Sequence, residues 1–126
     1  MNYLFFPDPG GVNMTWPQAP NVQLSKLCAT TSTSGDNTLV AAPGAGLQHI
    51  ITSIVLQNES ATATTLILKS GSTAVLRILC QNQGDGLALS WPPGQGLALG
   101  SNAAMVLNLS GANACGYSIQ YYTDVM

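Results

Sequence analysis

Charge is what this sequence lacks most. Only eight of its 126 residues are charged: Asp8, Lys26, Asp36, Glu59, Lys69, Arg77, Asp85 and Asp124, 6% of the chain where a typical soluble domain carries about 25%. Three scattered basic residues and a net charge of −2 offer no stripe to neutralise a run of phosphates, so no nucleic-acid partner is expected. Long apolar runs are missing too. None approaches the roughly 18 residues of a membrane-spanning helix, so no membrane partner is expected. The opening Met1-Asn-Tyr-Leu-Phe-Phe-Pro-Asp-Pro-Gly10 has no basic n-region and interrupts any h-region with two prolines and an aspartate, so export is not expected either.

Chemistry-bearing residues are equally sparse. The one histidine, His49, opens the most apolar stretch with no cysteine or carboxylate beside it, which favours a buried or interfacial role over a general base or metal ligand. The five carboxylates are spread singly, so no acid and base pair can be named. Cys28, Cys80 and Cys115 form no C-x-x-C pair and have no flanking histidine, which argues against both zinc and a disulfide framework. Buried thiols are expected. An intermolecular disulfide through Cys28 or Cys115 is the sharper alternative, disfavoured by folding in a cytoplasm.

Gly44-Ala-Gly46 and Gly94-Gln-Gly96 precede no helix that would offer an N-terminus to a phosphate, so they read as turns. The Asn-x-Ser/Thr triplets at Asn13, Asn58 and Asn108 lack a secretory route. Trp91, Tyr117, Tyr121 and Tyr122 offer stacking surfaces for sugar rings, but alternation puts Tyr117, Ile119 and Tyr121 on the core side and leaves Tyr122 outside with Ser118 and Gln120. No enzyme, metal or cofactor is expected.

What the sequence does have is 46% hydrophobic residues in short runs. Residues 1–36 read as an extended arm, with Pro7, Pro9, Pro17 and Pro20 breaking any periodicity and a polar tract at Thr30-Thr-Ser-Thr-Ser-Gly35. A short helix over Asn21–Ala29 is the one alternative. Leu4, Phe5, Phe6, Met14 and Trp16 give the arm too much apolar surface to leave in water, so it is expected to lie on a neighbour or on its own domain.

Residues 37–126 read as one domain of short β runs, rich in Val, Ile, Leu and Thr and cut by turn residues every eight to twelve positions or so. Strands are predicted over residues 38–42, 49–57, 62–69, 74–80, 87–91, 97–99, 103–109 and 116–123. About eight short strands predict an all-β, two-sheet antiparallel β-sandwich of jelly-roll type. In the run from His49 to Gln57, Ile50, Ile54 and Leu56 alternate against Ile51 and Val55, so both faces call for burial. Ile51, Val55 and Tyr122 are therefore expected at a contact between subunits.

Leu66-Ile-Leu-Lys-Ser-Gly-Ser-Thr-Ala74, Val106-Leu-Asn-Leu-Ser-Gly-Ala112 and Gly116-Tyr-Ser-Ile-Gln-Tyr121 stand within a stretch, residues 38–125, that resembles the small β-sandwich decoration or cement proteins of tailed bacteriophage capsids. The resemblance implies a non-enzymatic virion protein made in the host cytoplasm, bound to the outer capsid surface and bridging major capsid protein subunits as a homo-oligomer, a trimer above all. It carries over no catalytic residue and does not cover the arm. A receptor-binding tip or fibre head and a free carbohydrate-binding module are the rival expectations. A charge-poor surface gives copies little repulsion to keep them apart, which favours an assembling subunit.

Overall fold

The computed structural model describes residues 23–92 and 94–126. Nine strands occur among them: β1 Ser25–Thr31, β2 Gly35–Val40, β3 Leu47–Asn58, β4 Thr64–Ser70, β5 Thr73–Cys80, β6 Gly86–Ser90, β7 Leu97–Ala98, β8 Met105–Leu109 and β9 Cys115–Val125. Two antiparallel sheets result, one ordered β1-β9-β3-β6 with the short β7 also on β3, the other β2-β8-β4-β5. The pairs β1 with β9, β2 with β8, β3 with β6 and β4 with β5 make one long two-stranded ribbon. The further pairs β3 with β9 and β4 with β8 roll it into a jelly-roll sandwich.

Local chemistry makes the ribbon's bends. Ser70 pairs with Thr73 across a two-residue turn whose first residue, Gly71, has φ +61°, a conformation glycine adopts without a Cβ penalty and one whose twist suits a hairpin. Between β5 and β6, Asp85 Oδ2 accepts from the backbone N–H of Gln81 (3.0 Å) and Asn82 (2.9 Å), closing the turn on itself. Asn58, fully buried at the end of β3, donates through Nδ2 to Thr62 O (3.1 Å) and Asn82 O (3.3 Å) while its Oδ1 accepts from Ser60 N (3.2 Å). It satisfies loop groups that burial would otherwise strand.

The core lies between the sheets, with Ile51, Ile54, Leu56, Leu99 and Ile119 meeting Leu66, Leu68, Met105, Leu107 and Leu109, and Cys80 and Cys115 filling small gaps. The predicted two-sheet sandwich is what the chain forms, and Ile119 with its neighbours Tyr117 and Tyr121 does face inward.

Two expectations change. The sandwich does not begin at residue 37: Ser25–Thr31 is β1, paired with β9 over seven residues, and β2 starts at Gly35, so residues 25–36 belong to the fold. Neither a helix nor a linker forms there, because Leu27 finds Ile119 as its cross-strand neighbour and packs on the core, which a helix of one or two turns would not match. The arm residues Leu4, Phe5, Phe6, Met14 and Trp16 lie outside the described residues.

The second change concerns Ile51. It is fully buried in the chain's own core and does not share an outer face with Val55. The register of β3 against β9 slips between Ile51 and Ser53, so Thr52 is a bulge residue that inverts the alternation. Before the bulge Ile51 points inward and Ile50 outward; after it Ile54 and Leu56 point inward and Val55 outward. Outward-facing Ile50 is nevertheless 9% exposed, since Gly96 sits so close over it that an added Cβ would come within 2.7 Å of Ile50 Cγ2.

Candidate assembly surface

Alternation along four paired strands writes the outer face of the β1-β9-β3-β6 sheet as three rows. The cross-strand partners Lys26, Gln120, Ser53 and Ser90 make the first row; Cys28, Ser118, Val55 and Ala88 the second; Thr30, Gly116, Gln57 and Gly86 the third. Val55 is the largest apolar side chain of the twelve and is 45% exposed. Two adjoining depressions of about 270 and 280 Å³ cross β1, β9 and β3 at Cys28 and Ser118.

Both glutamines of these rows are tied down. Gln120 Oε1 accepts from the bulge hydroxyl of Thr52 (3.2 Å), and Gln57 Nε2 donates to Gly84 O (3.4 Å). Glu59 folds back from the end of β3 onto Gly116, where a Cβ would collide with its carboxylate, and its Oε1 accepts from Thr30 Oγ1 (3.3 Å). Across these three rows the face carries one cation at the Lys26 end and one anion at the Thr30 end, and Asp124 follows further along β9, beyond Tyr122.

The second sheet turns a different outer face. Asp36 on β2 accepts from Lys69 Nζ (3.1 Å) and from Asn108 Nδ2 (2.6 Å), and the Asn108 and Lys69 hydrogen bonds hold its carboxyl below the usual carboxylate range. A lowered pKa means this cross-strand network is intact at neutral pH and loosens as pH falls through the carboxylate's folded value. On the edge strand β5 the side chain of Leu79 is 61% exposed.

Of the residues expected at a subunit contact, Val55 and Tyr122 do share the outer face of the first sheet, Tyr122 standing opposite Ile50 and half-buried, while Ile51 does not. Lys26, Thr30 and Glu59 carry no such expectation, and Cys28 carries one only as a candidate for an intermolecular disulfide. The signal for β1 was present as Leu27, Ala29 and Thr31 alternating with Lys26, Cys28 and Thr30, but only Leu27 among the inward three is large enough to mark a core face.

His49 is 4% exposed: Nε2 donates to Ala41 O (2.9 Å), Nδ1 accepts from the Thr123 hydroxyl (2.9 Å), and Tyr121 meets the ring edge-on at 5.3 Å. Its position is that of a core strut. Among the described residues no three of His, Cys, Asp and Glu converge. Trp91, Tyr117 and Tyr121 pack against the core, so these three do not form an exposed sugar-stacking platform.

The three thiols separate sharply. Cys115, one of the two candidates for an intermolecular disulfide, is fully buried and its thiol is pushed up to about 11, first by desolvation; Cys80, also buried, is raised for the same reason. Cys28 alone is exposed. An aromatic disulfide reagent is expected to titrate one thiol per native chain and three after denaturation; a second native thiol reacting at the same rate would contradict this burial. Because the raised thiols stay protonated in the fold while those of the unfolded chain ionise, stability should fall as pH climbs from about 9 towards 11.

The class these observations define is a charge-poor jelly-roll domain, a fold used by capsid, lectin and cupin domains alike. No family model matches the chain, and no curated protein does. Among solved structures it is similar to the virus-like particle of the extra small virus of the giant freshwater prawn Macrobrachium rosenbergii, at 11% sequence identity and a TM-score of 0.43, with 100% of this chain and 96% of that chain covered. A likeness at that level carries no functional argument.

Proposed function

We propose that this chain is a non-enzymatic virion structural protein, a decoration or cement subunit bound to the outside of a tailed-phage head, where it bridges major capsid protein subunits. The observation that carries this reading is the open, nearly uncharged outer face of the β1-β9-β3-β6 sheet, a surface better suited to contact than to solvent. The resemblance of residues 38–125 to phage decoration proteins supports it, and the Lys69-Ser-Gly-Ser-Thr73 segment that carries part of that resemblance forms the β4–β5 hairpin. The apolar arm, with Leu4, Phe5, Phe6, Met14 and Trp16, is the part of the chain suited to gripping the capsid protein. A trimer of this subunit would use other edges, such as β5 with its exposed Leu79.

Quantitative mass spectrometry of purified particles, counting this chain against the major shell protein, tests the proposal. Near-stoichiometric abundance is expected. A few copies per particle would replace the cement role with a fibre tip or receptor-binding head, and absence from particles would overturn the virion reading in favour of a free binding module.

A further inference from the structure

Within the three rows the two charges, Lys26 and the Glu59 carboxylate, lie at opposite ends. Lys26 and Thr30 lie two residues either side of Cys28 on β1, about 6.6 Å away in each direction along an extended strand. Glu59 brings its carboxylate to the Thr30 end by the hydrogen bond from Thr30 Oγ1 (3.3 Å). Cys28 therefore sits midway between a cation and an anion, in a row whose other members are Ser118, Val55 and Ala88.

From this arrangement we propose that the face pairs with the same face of a second copy, about a two-fold axis running across the strands along the Cys28 row. Such an axis reverses the strand direction while keeping each strand over its counterpart. It sets Lys26 of each copy against Glu59 of the other, giving two ion pairs, and brings the two Cys28 side chains together at the axis. The small residues of the middle row let the two sheets approach to about 10 Å, the spacing of packed sheets. Four strands by seven residues give a face of roughly 400 Å² per copy, short of the roughly 1,200 Å² total of a stable complex, so the pairing is weak and concentration-dependent. The pairing rests on this face alone and holds whether or not the chain is a virion component.

The test is trapping of the full chain at high concentration with a short bis-maleimide, read as covalent dimer on a denaturing gel, beside N-ethylmaleimide labelling of Cys28. Dimer is expected, abolished in Cys28→Ser, reduced about five- to tenfold in Lys26→Glu and in Glu59→Lys, and restored when both charge changes are made together. Cys28 that labels fully yet yields no dimer would overturn the pairing. So would trapping indifferent to the charge reversals, or a Cys28 shielded from N-ethylmaleimide at every dilution, which would mean that the chain covers its own face.

Discussion

Leu107→Ala is expected to destabilise the fold by about 2–5 kcal/mol, the range for truncating a large aliphatic side chain where the core cannot collapse around the gap. Leu107 is fully buried on β8, an inner strand of its sheet, with Leu68 of β4 on one side and Asn37 of β2 on the other. It faces a core whose other wall is Ile51, Ile54 and Ile119. Strands held on both sides cannot slide inwards to fill a void. Against a total stability of about 5–15 kcal/mol the loss is large, and for a domain of this size it corresponds to a fall in Tm of roughly 10–25 °C. Thermal melting by circular dichroism checks it; a shift under a few degrees would mean that the two sheets are not locked together through β8.

Gly86→Ala should be as damaging for a different reason. A Cβ at Gly86 would collide with the backbone oxygen of Leu56 and lie 2.9 Å from Gln57 Cα, and both obstacles are backbone of the paired strand β3. No rotamer change relieves the clash, so β6 must move off β3. That move would break the neighbouring bonds Asn58 N to Asp85 O (2.7 Å) and Trp91 N to Thr52 O (3.0 Å). A cost of roughly 3 kcal/mol or more is expected. Gly84→Ala is the control: its φ of +93° makes alanine strained, but no atom lies within 4 Å of the added methyl, so the cost should be about 1–2 kcal/mol. Urea unfolding of the two variants separates a close approach from a conformational requirement, and equal midpoints would remove the close approach at Gly86.

Most of the strands were legible because period-two alternation and turn residues are local signals. Leu66 and Leu68 against Thr65 and Lys69, or Leu107 and Leu109 against Asn108, declare an inward face without knowledge of a partner. β1 was not legible, since its small and polar residues take a strand conformation only where β9 offers a ladder. The inversion at Thr52 was hidden for a related reason. A bulge is set by the mismatch between two paired strands, and its hydroxyl bonds to Gln120, 68 residues away.

By itself, then, the sequence determined the all-β class, the turn positions and the scarcity of charge, all of which depend on residue type and short spacing. Tertiary structure decided which strands became neighbours, that residues 25–36 join the sandwich, that Ile51 is core while Val55 is surface, and that Lys26, Cys28 and Glu59 come to lie on one face. Those outcomes depend on pairing between segments distant in the chain. Pairing is chosen by the summed burial and hydrogen bonding of both partners, which neither segment carries alone.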